Sequence, residues 1–128
     1  MIYCVELAVP ANTAKTDPCE VLLPTNWGTV TQVWVRWRWG SGNLCGVSLW
    51  REGSQVWPSS VDQWFPSNTQ ELTWQEWYLV PDHPLDFVVK AYNLDDTFPH
   101  TVWIAINLQR PSVSANLAKF LEYLTKGG

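Results

Sequence analysis

Thr29-Val-Thr-Gln-Val-Trp-Val-Arg-Trp-Arg-Trp39 is the longest unbroken run of β-forming residues in the chain, and its reading decides the fold. As a period-two ribbon it places Thr31, Val33, Val35, Trp37 and Trp39 on one side. Val30, Gln32, Trp34, Arg36 and Arg38 fall on the other. The first side reads as core and the second as surface, so the stretch is expected to be the central strand of a sheet with one buried face.

Working outward, residues 2–9 alternate Tyr3, Val5, Leu7 and Val9 against Cys4, Glu6 and Ala8, a strand that Pro10 ends. A polar loop bracketed by Pro10 and Pro18 leads to a short strand at 19–23, and turn chemistry at 24–28 launches the central strand. Beyond it, residues 44–51 and 54–57 form a hairpin about Glu52-Gly53, with the small Gly46 and Ser48 leaving room for larger cross-strand neighbours. Residues 59–70 have loop composition but carry the large apolar pair Trp64-Phe65. Strands are expected again at 71–80, 85–92 and 100–108, the last two with the core faces Leu85, Phe87, Val89, Ala91 and His100, Val102, Ile104, Ile106, Leu108.

After Pro111 the period changes. Val113, Leu117, Phe120, Leu121 and Leu124 recur at three- and four-residue intervals, the stripe of an amphipathic helix capped by Ser112 or Ser114 and ended by Gly127. The expected architecture is therefore an all-β antiparallel sandwich, jelly-roll-like with about eight strands, over residues 1–110, followed by a helical appendage at 111–128. No helix interrupts the strands, which excludes a βαβ nucleotide-binding crevice.

The net charge of −4, with 8 Lys and Arg against 12 Asp and Glu, argues against nucleic acid or an anionic membrane as a partner. No apolar run reaches the roughly 20 residues that span a bilayer, and the N-terminus lacks a signal-peptide pattern, so a cytoplasmic origin is expected. Cys4, Cys19 and Cys45 have no metal-binding spacing and read as buried thiols, with a Cys4–Cys19 or Cys19–Cys45 bridge as the alternative.

Catalysis finds little support: His83 and His100 have no nucleophile in an activating motif beside them. Asp95-Asp96 and the Asp82/Asp86 pair read as turn formers, and a calcium site on Asn93, Asp95 and Asp96 lacks ligands. No catalytic residue, metal or cofactor is expected. The ten tryptophans are the strongest departure in composition. Trp34 with Arg36 and Arg38, and Trp50 beside Gly46 and Ser48, would form an exposed sugar-binding row if their strands paired. Trp64, Phe65 and the helix face of Leu117, Phe120, Leu121 and Leu124 lie instead in a loop and a terminal segment, where large apolar groups suit a protein interface.

The block from Leu85 to Trp103, Leu-Asp-Phe-Val-Val-Lys-Ala-Tyr-Asn-Leu-Asp-Asp-Thr-Phe-Pro-His-Thr-Val-Trp, together with Pro10-Ala-Asn-Thr13 and Gln55-Val-Trp-Pro58, resembles small accessory and decoration proteins of tailed-phage virions. The resemblance covers residues 1–110 and carries over no functional residue. It implies a short sandwich or jelly roll that attaches to capsid or tail surfaces through loops and termini. A non-catalytic assembly protein, homo-oligomeric or bound to a larger protein surface in the virion, is the first expectation. A glycan-binding module is the second.

Overall fold

The computed structural model describes residues 1–38, 40–60, 62–68, 71–81 and 86–110. The helix expected at 111–128, with Leu117, Phe120, Leu121 and Leu124, lies outside them, as do Trp39 and residues 82–85, among them His83 and Asp82. The described chain is all-β, with nine strands: β1 Ile2–Val9, β2 Cys19–Pro24, β3 Gly28–Trp37, β4 Cys45–Arg51, β5 Ser54–Trp57, β6 Phe65–Pro66, β7 Glu71–Val80, β8 Asp86–Asn93 and β9 His100–Gln109. One sheet runs β1-β9-β3-β7 and the other β2-β8-β4-β5, every pair antiparallel. β5 and β6 share the free edge of β4 end to end, β5 opposite Leu49–Arg51 and β6 opposite Gly46 and Val47. The two-residue β6 falls inside the stretch expected to be loop.

The alternating faces expected for β1, β8 and β9 are the ones that meet between the sheets. Val9, Ile104 and Ile106 of one sheet are fully buried there, with Phe87, Val89, Val47, Leu49 and Leu23 of the other opposite. Burial of such apolar surface is the main term holding the layers together. The β4–β5 hairpin turns at Glu52 and Gly53, both at positive φ as a type I′ turn requires. Gly28 is also at positive φ, and a Cβ there would stand 2.7 Å from the Gln109 carbonyl oxygen, so only glycine lets β3 begin this close to β9.

In β3 the expected facing fails at one point. Val30 was assigned to the surface, yet Val30 and Val33 are both fully buried, with Thr31 and Gln32 between them. The cause is irregular register. Val30 faces Leu108 and Tyr78, while Val33 faces Ile106 and Trp74. The same interval takes two residues on β9, three on β3 and four on β7. Each added residue is a bulge, which bends its strand and reverses the facing of what precedes it. The expected face survives from Val33 to Trp37, and Thr31 leaves the core.

Gly46 and Ser48 behave as their size suggests. A Cβ on Gly46 would meet the Tyr92 ring at 2.5 Å, so the glycine is what lets that ring lie across β4. Of the cysteines only Cys45 is buried; Cys19 is half-buried, Cys4 is exposed and none is bridged. Cys4 therefore departs from the buried-thiol expectation, because it sits on the outer face of the β1–β9 pair, opposite Ala105.

Candidate functional site

The sandwich is closed on one side, where β1 lies against β2, and open on the other, between the edge strands β5 and β7. A cleft of about 690 Å³ occupies that open side, walled by Trp57, Phe65, Trp74 and Tyr78 and carrying Arg51, Gln55 and Glu76. Plain period-two alternation along β7 puts Glu76 on its inward-facing side with Leu72, Trp74 and Tyr78.

The Glu76 carboxylate is held by indoles. Trp57 Nε1 donates to Oε1 at 2.9 Å and Trp74 Nε1 to the same oxygen at 3.1 Å, while the Trp77 backbone N–H donates to Oε2 at 3.2 Å. Trp57 is stacked on the buried Phe87, with ring centres 5.6 Å apart, which ties the cleft wall to the core. Phe65 lies against Trp74 at 4.8 Å. The Gln55 amide nitrogen donates to the carbonyl oxygens of Pro58, Ser60 and Gln63, so it shapes the loop after β5 and has its donors occupied.

The residues singled out in the sequence separate in space. Trp34 is on the outer face of the β1-β9-β3-β7 sheet, in register with Ala105 and Thr73. Arg36 is its neighbour on that face, and Arg38 pairs at 3.6 Å with Glu6, both side chains well exposed, an ion pair worth little in water. Trp50 is on the other sheet, its ring under Lys90 Nζ at 4.1 Å and its Nε1 donating to Ser48 Oγ. β3 and β4 do not pair, so Trp34 and Trp50 stand on opposite outer faces and the expected sugar-binding row does not form. Trp64 packs edge-on against Tyr92 at 5.0 Å. Both Trp64 and Phe65 thus already have ring partners within the chain, and both are half-buried.

A second polar cluster closes the far end of the sandwich. Asp95 accepts from the backbone N–H groups of Thr97 and Phe98 and lies 2.8 Å from His100 Nε2. Asp95 is thus the turn former expected, and the fully buried Asn93 faces inward and not toward a cation. Among the described residues no group of three or more His, Cys, Asp or Glu side chains converges as metal ligands. Cys45 donates to Asn93 Oδ1 in this cluster, but burial pushes its thiol up to about 11, the reverse of an activated nucleophile.

The His100 hydrogen bond first, and then the Thr97 N–H, hold the Asp95 carboxyl below its ordinary value. A carboxyl whose folded pKa is depressed stabilises the fold fully above its unfolded value of about 3.9, and that contribution disappears as pH falls through the lower folded value. Urea midpoints measured from pH 5 down to pH 2 are therefore expected to fall more steeply for the parent protein than for Asp95→Asn. Parallel profiles would remove Asp95 from the acid response.

Sequence reasoning placed no function on Glu76, Trp57 or Trp74. The inward alternation of Leu72, Trp74 and Glu76 was readable, but which strand faces β7 across the open side was not. Comparison with known proteins finds no matching family model, no matching curated protein and no matching solved structure.

Proposed function

We propose that this chain is a non-catalytic structural component of a larger protein assembly, a virion capsid or tail in the reading that its sequence resemblance suggests. It associates there with copies of itself or with a larger protein surface through the β7 edge. The observation that carries this reading is β7 itself: ten residues long, paired only with β3 among the described strands, with Trp77 72% and Leu79 65% exposed. Sheet edges are ordinarily blunted by lysine, proline, shortness, bulges or inward-pointing charges. β7 is long and has no lysine or proline, and although it is bulged and carries Glu76 on its inward side, Trp77 and Leu79 stay exposed on the other face. Trp27 is exposed nearby and shares a shallow hollow with Leu79, Val80 and Pro81, which extends the apolar strip.

The strand order supports a jelly-roll assignment. With the two-residue β6 left aside, the sheets run first-eighth-third-sixth and second-seventh-fourth-fifth, the order produced when two Greek keys are wound together. Among the described residues no helix is long and apolar enough to cross a membrane.

Sedimentation equilibrium tests the reading. The parent protein is expected to sediment as a concentration-dependent oligomer, and Leu79→Lys as a smaller species with an unchanged urea midpoint, because an exposed side chain contributes little to folding. A parent chain that stays monomeric at its solubility limit and captures no virion surface protein would contradict the proposal.

A further inference from the structure

We infer that the cleft between β5 and β7 is a binding site for an alkylammonium group, seated against the rings of Phe65, Trp74 and Tyr78 and matched in charge by Glu76. The charge of Glu76 is what points to a cation. Two indole N–H groups and a backbone N–H orient its carboxylate, yet all three are neutral donors. Among the described residues no lysine, arginine or histidine lies within ion-pair distance of it. Arg51, the cation on the cleft wall, stands 3.9 Å from Glu52 instead.

Ring geometry decides between a cation and a sugar. Phe65 and Trp74 are inclined at 43°, Trp57 and Trp74 at 69°, and Trp57 and Tyr78 at 62°. Rings set at such angles make the walls of a cage, whereas a sugar ring stacks best on a flat platform. The indole N–H edges of Trp57 and Trp74 are already engaged with Glu76 and the donors of Gln55 with its own loop. What the ring walls offer a ligand is their π faces, which carry negative potential and attract ammonium cations most strongly where water is partly excluded. A cleft of about 690 Å³ is within the range of small-ligand sites. An alkylammonium group reaches it either as a free amine or as a lysine side chain of a partner.

The test follows the indole N–H resonances of Trp57 and Trp74 by NMR, at fixed ionic strength, during titration with three probes. These are choline, Nα-acetyl-lysine methylamide and 3,3-dimethyl-1-butanol, the last being the uncharged carbon isostere of choline. Saturable shifts are expected with at least one cation, and the isostere is expected to bind weaker by on the order of tenfold. Choline alone binding assigns a free quaternary amine, and the lysine analogue alone assigns a partner's side chain. Glu76→Gln is expected to weaken the cation by a similar factor; should that variant not fold, Phe65→Leu is expected to do so through the loss of a ring wall. An equal response to the isostere, no saturable shift with either cation, or an affinity unchanged in the folded variant overturns the assignment.

Discussion

An Asn93→Ala protein is expected to lose about 3 kcal/mol of stability, because the one carboxamide satisfies polar groups from four parts of the chain. Its Nδ2 donates to the Val9 carbonyl at 3.1 Å and the Phe98 carbonyl at 2.9 Å, and its Oδ1 accepts from the Asp95 N–H at 2.9 Å and the Cys45 thiol at 3.3 Å. Val9 belongs to one sheet and Cys45 to the other, so the side chain stitches the layers together at this end. Its backbone adds a two-way bond with Thr13, which docks the loop after β1. Truncation leaves these groups buried without partners, at about 1–3 kcal/mol each before relaxation. Asn93→Asp keeps the volume but offers no N–H to Val9 or Phe98, and adds a charge near Asp95. It is expected to be at least as damaging at pH 7. Urea midpoints at constant m measure both, and an Asp variant as stable as the parent would show that volume and not the donors matters.

The second large effect is expected at Trp37. It is 1% exposed, the bulkiest of the fully buried side chains, and its Nε1 is the one buried side-chain nitrogen or oxygen without a hydrogen-bond partner among the described residues. Trp37→Ala is expected to cost about 3–5 kcal/mol through the cavity it opens. Trp37→Phe should cost far less, about 1 kcal/mol, since the smaller ring fills most of the space and also removes a desolvated N–H that contributes no bond. Denaturant unfolding of the two variants side by side decides the matter. Equal losses would mean that the indole N–H contributes a hydrogen bond, through a buried water, that the Phe variant forfeits.

These expectations differ in how far they were readable in advance. The buried faces of β1, β8 and β9 followed from alternation, and the same is true of Trp37 within β3. The hairpin at Glu52-Gly53 and the role of Asp95 in its turn were also readable, because turn chemistry is local. Asn93 read only as the end of a strand and a member of a calcium site short of ligands, since its partners at Val9 and Cys45 are brought to it by two different sheets. Val30 was placed on the wrong face because a bulge leaves no mark in a single strand's pattern; it is a mismatch between two strands. Trp34 and Trp50 were grouped on the supposition that consecutive strands pair, and here β3 and β4 go to different sheets.

The sequence by itself determined the class of the protein and most of its core, because apolar alternation and turn residues act over a few positions and need no knowledge of the partner strand. Its acidity and the absence of an activated nucleophile in any readable motif also came from composition and spacing. Only the tertiary structure decided where a site lies. The cleft exists because the sheets part between β5 and β7, and Glu76 becomes part of a site because Trp57 of the other sheet reaches its carboxylate across that gap. Both are relations between strands far apart in the chain, set by register and layer order, and neither is encoded in the pattern of any one of them.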